Sequence, residues 1–266
     1  MNTLRRTVLI ASILLAALIA ACGGGTGGTG ASNNTGPSNA VSIGVMAKGS
    51  VIVNGVHFDD NAASIKIDDT PKLPVDLQSG MVVRVRGQIN DDRVNGTAQV
   101  VNVSTEVRGT VQTHNGATVP PTFTVVGQTV IVDDLTVLAN FGVSPTPASA
   151  VGSLSDGSSL VEVHGLRDAT GALHASRVEL LNANPLGDEL RGTVDGLGAT
   201  TFILKNGTTS VPVNFSGVTI TLANGEIVEV HGAFSGATFT ATSINIEDDA
   251  QFEHQAGEEF EVEGLR

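Results

Sequence analysis

Leu222-Ala-Asn-Gly225-Glu-Ile-Val228-Glu229-Val230-His231-Gly232 couples a Leu-x-x-Gly turn to a strand that alternates apolar and polar residues and ends in glycine. Alternation of period two is the pattern of a half-buried β-strand, with Val228 and Val230 on one face and Glu229 and His231 on the other. The same grammar stands at Leu77-Gln-Ser-Gly80-Met-Val-Val83-Arg84-Val85-Arg86-Gly87. It recurs at Leu154-Ser-Asp-Gly157, which leads into Leu160-Val161-Glu162-Val163-His164-Gly165. Self-similarity of this kind marks a repeat architecture and outranks any single motif.

Each copy continues into a second strand, with Ala98-x-x-Val101, Ala175-x-x-Val178 and Ala241-x-x-Ile244 as its shared core. Upstream, each opens on a Gly-punctuated strand: Ala47-Lys48-Gly49-Ser50-Val51, Val107-Arg108-Gly109-Thr110-Val111 and Leu190-Arg191-Gly192-Thr193-Val194. Runs rich in Val, Ile, Thr and Phe lie between, separated by Asn54-Gly55, Asn95-Gly96, Asn115-Gly116 and Asn206-Gly207, dipeptides that suit tight hairpins. Beyond the N-terminal segment no stretch sustains a helical stripe; Leu135–Phe141 and Ala148–Leu154 support at most a turn or two. About five short strands per unit are too few for two packed sheets but enough for a curled sheet that closes on itself. The expected fold is therefore all-β: tandem small five-stranded OB-like β-barrels at 41–104, 105–186 and 187–249. Phe58, Phe123, Phe202 and Phe239 fall inside alternating strands and read as core plugs. The segments 104–108 and 182–188 read as exposed junctions open to proteolysis.

Two terminal segments stand apart. Residues 1–21 combine Arg5 and Arg6 with an uncharged apolar run too short to span a bilayer comfortably, and Ala20-Ala21 precede the only cysteine. Ile19-Ala20-Ala21-Cys22 resembles the lipobox of bacterial lipoproteins, which implies a cleaved signal peptide, lipidated Cys22 and a lipid bilayer as partner. Residues 22–40 supply that cysteine and a tether of Gly, Ser, Thr and Asn without charge. Gly23, where resembling lipoproteins carry acidic residues for inner-membrane retention, suggests the outer membrane, on its periplasmic or surface face. At the other end, 250–266 form a C-terminal extension in which Gly257-Glu-Glu-Phe260-Glu-Val262-Glu-Gly264 repeats the strand grammar. A lone strand needs a partner, and the third barrel is the expected one.

Gly49-Ser-Val-Ile-Val-Asn-Gly-Val-His-Phe58, the Leu77-x-x-Gly80-x-x-Val-x-Val-x-Gly87 motif and the Arg-Gly-Thr-Val openings resemble the repeats of bacterial lipoproteins classed as domain of unknown function 5666. The resemblance supports the fold and the envelope address and implies no activity, cofactor or site residue.

The 27 acidic against 14 basic side chains repel phosphate backbones, which argues against nucleic acid as a partner. Absence of Trp and Tyr counts against a sugar-binding surface. Among metal candidates, Glu162 and His164 share a strand face, and a suitable register across the Asp168–Gly171 turn would bring His174 beside them as a third zinc ligand. The third copy has Thr240 at the place of His174, and the first has Arg84 and Arg86 at the places of Glu and His. A position that changes charge between copies reads as a solvated outer face, so no metal site is assigned. Acidic doublets at Asp59-Asp60, Asp68-Asp69, Asp91-Asp92, Asp133-Asp134 and Glu247-Asp248-Asp249 lack the spacing of an EF-hand. They read as solvated turns that keep units apart, with weak calcium binding at a junction left open. No Gly-x-Ser-x-Gly elbow or comparable nucleophile signature occurs, and no cofactor is expected. The functional expectation is a non-enzymatic binding or scaffolding module with an envelope protein as partner. The alternative is an envelope hydrolase or metal-dependent enzyme with its site assembled between units.

Overall fold

The computed structural model describes residues 38–47, 51–247, 252 and 259–262. The signal-peptide reading of 1–21, Cys22 and most of the tether lie outside them. Val83 and Val85, Val161 and Val163, and Val228 and Val230 are all buried. The apolar face of each alternating strand therefore lies on a core, which fixes the register, since a one-residue slip would expose every valine.

The first unit contains β1 (Ser38–Val45), β2 (Val51–Val53), β3 (Val56–Asp59), β4 (Ser64–Ile67), β5 (Thr70–Lys72), β6 (Val82–Ile89) and β7 (Asn95–Val103). The second contains β8 (Val107–Asn115), β9 (Thr122–Val125), β10 (Gln128–Ile131), β11 (Val137–Ala139), α1 (Pro147–Gly152), β12 (Leu160–Arg167) and β13 (Leu173–Leu181). The third contains β14 (Asp188–Asp195), β15 (Thr201–Asn206), β16 (Thr209–Asn214), β17 (Ile227–Ser235) and β18 (Thr238–Ile246), and β19 (Glu259–Val262) follows. The described residues are thus all-β with repeated β units and, besides a 3-10 turn at Pro74–Asp76, one short α-helix, which starts where the Thr146 hydroxyl accepts from Ser149 N. Leu135–Phe141, read as at most a helical turn, instead supplies β11 beside β13.

One pairing order recurs. In the second unit β8 pairs with β9, β9 with β10, β10 with β13, β13 with β12 and β12 with β8. In the third, β14, β15, β16, β18 and β17 follow the same cycle. The first has β1, β2, β3, β7 and β6, with β1 and β2 linked through the single bridge Ala47–Ile52. Only the third-to-fifth contact of each cycle is parallel. The hydrogen-bonded sheets nevertheless number two, not three: β14 pairs with β8, so the second and third units share an eleven-stranded sheet, and the first belongs to an eight-stranded one. Phe58 sits in the core of the first unit, and Phe123, Phe202 and Phe239 lie in the continuous core of the other two.

The terminal glycine of the repeated strand has a steric cause. Gly87, Gly165 and Gly232 each stand at a break in strand register, where a β-carbon would lie 2.1 Å from Thr97 O, 2.2 Å from His174 O and 2.0 Å from Thr240 O. These glycines let the partner backbone approach at a bulge that bends the long hairpin.

Register also corrects the opening of the first unit. Gly109 faces Val161, Gly192 faces Val228, and the residue that faces Val83 is Gly44. The opening strand is β1, not the stretch around Gly49, and it begins at Ser38, inside the segment assigned to the tether. The extension strand departs from expectation as well. β19 does not dock on the third unit but pairs in parallel with β1, Ala40 to Glu259 through Ile43 to Val262. Ser38 Oγ donates to Glu259 Oε1 at 2.9 Å, and Arg93 forms an ion pair with the same carboxylate. The third unit offers no comparable vacancy, because β8 already lies along the first half of β14.

Gly165→Ala is expected to lower stability by about 2–3 kcal/mol, the scale of overpacking, whereas Gly217→Ala, with nothing within 4 Å of the added carbon, should change it by less than about 0.5 kcal/mol. Thermal melting of the two variants checks this. Deleting 257–266 should bare the edge of β1 and promote association, visible in light scattering; a monodisperse product with unchanged melting would contradict the role given to β19.

Candidate functional site

The polar face of the repeated strands is not solvated. Glu229 is 1% exposed, Glu189 and His164 are 0% exposed, and Arg108 is 5% exposed. The physical reason is that these outer faces are where the units meet. The segment 104–108, expected as an exposed junction, carries fully buried Thr105 and Val107.

The seam between the second and third units is built from two copies of one tripeptide. Glu106-Val107-Arg108 runs antiparallel to Glu189-Leu190-Arg191, with Leu190 opposite Val107 and Arg108 opposite Glu189. The exchange is reciprocal: the Arg108 guanidinium pairs with Glu189, and Arg191 Nη1 lies 3.2 Å from Glu106 Oε1. Arg191 N also donates to Glu106 O at 3.2 Å. Repeated sequence placed antiparallel thus gives a pseudo-twofold, self-complementary contact.

Around this seam the first unit adds its own charges. Arg108 Nη2 lies 3.0 Å from Asp68 Oδ2, and Arg108 Nε donates to Glu162 Oε2 at 2.8 Å, so one guanidinium serves carboxylates from all three units. Asp68 further accepts from Thr105 N at 2.7 Å. Arg84 Nη2 reaches Glu247 Oε2 at 3.1 Å, joining the first unit to the end of the third. Arg167 Nε donates to Glu106 Oε2 at 2.9 Å, and Gln128 Oε1 accepts from both Arg167 and Asn206. Asp68 and Glu247, two of the acidic turn positions read as keeping units apart, therefore hold them together. Asp59-Asp60 differs: it lines a shallow polar surface concavity with His57, Asn61, Asn90 and Asn95, and Asp59 Oδ1 is taken up by Asn61 at 2.7 Å.

The residues weighed for zinc are placed as follows. His164 Nε2 is 3.3 Å from Glu162 Oε1, but its cross-strand neighbour is Arg177. His174 stands opposite Leu166, and its Nε2 points at Asp168 Oδ2 at 3.3 Å. On both sides of the bulge at Gly165 the register keeps the two histidines from facing each other. A different trio comes together: Glu189, Glu229 and His231 place one ligand atom each within 4.8 Å of one another. His231 Nε2 is 2.6 Å from Glu229 Oε1 and its Nδ1 is 3.8 Å from Glu189 Oε2. Glu229 and His231 are a same-face pair already in the sequence, whereas Glu189, 42 residues before His231, joins them only through its register opposite His231.

Electrostatics separates the two copies. Burial disfavours the charge on Glu106, yet Arg191 and Arg167 together hold its carboxyl below the usual range. Burial likewise opposes Glu162, but the His164 hydrogen bond and the His164 and Arg108 charges prevail and bring it to about 2. For Glu189, burial and the nearby Asp68 carboxylate outweigh Arg108 and push the carboxyl well above its usual range. Burial also pushes up Glu229, against the opposing His231 ring.

Repeated β units locked through buried charge define the class to which the comparisons add a name. The family model described as "Domain of unknown function (DUF5666)" matches residues 42–102, 108–179 and 191–245. The chain belongs to that family, in three tandem copies. No curated protein matches it. A solved structure, drosophila Unr CSD456, aligns over 80% of this chain and 97% of its own at 10% identity, with a TM-score of 0.24, a likeness too slight to carry an argument.

Arg108→Met should destabilise the protein by about 3–5 kcal/mol at neutral pH, because the buried Glu189 and the partly buried Asp68 and Glu162 lose their shared cation. The sign of the pH dependence follows from Glu162. Its folded value of about 2 lies below its ordinary 4.5, so its contribution is present above 4.5 and is lost as pH falls through the folded value. The gap between native protein and variant, measured by denaturant melts at about pH 7 and about pH 3, should therefore narrow in acid.

Proposed function

We propose that this chain is a membrane-anchored lipoprotein of a bacterial envelope whose repeated units form a non-enzymatic binding or scaffolding module. Each unit is read as a five-stranded OB-like barrel. The recurring cycle of five pairings, with its single parallel contact, supports that reading, although the second and third units share a sheet at their seam. The observation that carries the function is where the charged side chains go. Arg108, Glu189, Glu106 and Arg191 are spent on joining units, and an envelope hydrolase would need such groups at a cleft that substrate can enter. A chain that devotes its buried ionic contacts to fixing one unit against the next suits the presentation of a surface to another envelope protein. Its acidic balance keeps nucleic acid off that surface.

Lipidated Cys22 and the tether of 22–40 would hold this array at the bilayer, and Gly23 favours the outer membrane. In cells, Cys22→Ser is expected to move the protein from the membrane fraction to the soluble envelope fraction. Retention of the variant in the membrane would overturn the anchor.

A further inference from the structure

The second and third units carry the same trio in equivalent places: Glu106, Glu162 and His164 in one, Glu189, Glu229 and His231 in the other. Their partners are not equivalent. Glu106 has both oxygens on guanidiniums, Oε1 on Arg191 and Oε2 on Arg167. Glu189 has only Arg108, through Oε2, and its Oε1 is buried without a hydrogen-bond partner. The cause is visible in the register. Arg167 lies opposite Leu173, and the residue opposite Phe239, the counterpart of Leu173, is Phe234. A cation that the second unit supplies from its own strand is missing from the third.

Glu229 shows the same deficit. The partner of its Oε1 is the His231 ring, with Nε2 at 2.6 Å, and not a guanidinium. Among the ion pairs of the described residues at this junction, the carboxylates of Asp68, Glu106, Glu162, Glu189, Glu229 and Glu247 outnumber the guanidiniums of Arg84, Arg108, Arg167 and Arg191. Buried carboxylates without cations are costly. The buried Glu189 Oε1 without a hydrogen-bond partner, the buried Glu229 carboxylate and the His231 imidazole at the rim, its side chain 14% exposed, constitute an oxygen–oxygen–nitrogen donor set suited to zinc and its neighbours.

The geometry points to a structural site for a divalent cation of the zinc class, held by Glu189, Glu229 and His231 in place of the arginine that the second unit uses. The ion would complete the seam beside Arg108. It goes beyond the scaffolding role and stands or falls separately from it.

Untagged chain spanning Gly36–Arg266, which keeps β1 whole, stripped with chelator and then equilibrated with micromolar Zn2+, is expected to retain one zinc ion per chain by elemental analysis. Its melting temperature should rise by about 5–10 °C, the scale of a ligand present at roughly a hundred times its dissociation constant. Co2+ in its place should give visible absorption bands of a low-coordinate nitrogen–oxygen site. Glu229→Gln, close in shape and without charge, should abolish both retention and the melting shift. Phe234→Arg should abolish retention while raising the melting temperature of the metal-free protein, since it restores the missing cation. If Phe234→Arg does not fold, Glu229→Gln decides alone. No retained zinc in the native chain, or equal retention by the Glu229→Gln variant, overturns the proposal.

Discussion

The first half of every opening strand has one edge that its own unit does not cover. In the second unit β12 pairs along one side of β8 from Val107 to Thr110, while β9 joins only from Val111 onward. A row of free N–H and C=O groups therefore faces outward in each copy, and buried or not, such an edge must be paired or it will pair with something else. The second and third units satisfy each other through the β8–β14 seam. The first cannot join that exclusive pair, and the strand that covers it is β19. Chain order, sheet number and the position of the C-terminal strand all follow from this one requirement.

Covering the edge in this way dictates where charge must go. Antiparallel pairing of Glu106-Val107-Arg108 with Glu189-Leu190-Arg191 sets each glutamate against the other copy's arginine, a favourable register for a repeated sequence. Because the contact is backbone-to-backbone, the side chains on the same face are drawn out of water with it. The neighbouring Glu229 is buried and Glu162 half-buried as a consequence, and their placement depends on groups that can keep them charged or protonated. In β1 the equivalent residues are Val41 and Ile43, with no charge to exchange, which matches the fact that its partner is a different strand in a different direction.

Much of the fold was legible because it repeats. Val83/Val85, Val161/Val163 and Val228/Val230 announce core faces, Gly87, Gly165 and Gly232 announce a recurrent backbone constraint, and four Phe residues announce core plugs, all from local pattern. The missed features were non-local. Gly44 was overlooked as the true counterpart of Gly109 because β1 lacks the Arg-Gly-Thr-Val signature, and the stretch at Gly49 imitates it. The inference from changing charge to solvent exposure failed for a physical reason: Arg84 is taken up by Glu247, Glu162 by Arg108 and Glu229 by His231, so each of these positions meets a counter-charge instead of water. Glu189 was invisible as a site residue because strand register, not sequence spacing, brings it beside His231.

The two halves of the seam also show how a repeat can diverge without losing its fold. Replacing Arg167 of the second unit by its counterpart Phe234 in the third keeps a large side chain, which now packs in a tilted pair, centroids 6.5 Å apart, against Phe239 and adds to the core. It simultaneously removes a guanidinium from the buried carboxylates beside it. A substitution that strengthens the apolar layer thus weakens the ionic one, and the strand cycle absorbs it because backbone pairing through Gly232 is unaffected. Pseudo-symmetry fixes the positions, whereas the balance of charge at each position is set by which copy supplies the neighbour. The third unit therefore differs from the second in electrostatics far more than in topology, and a functional distinction between copies has its physical basis there.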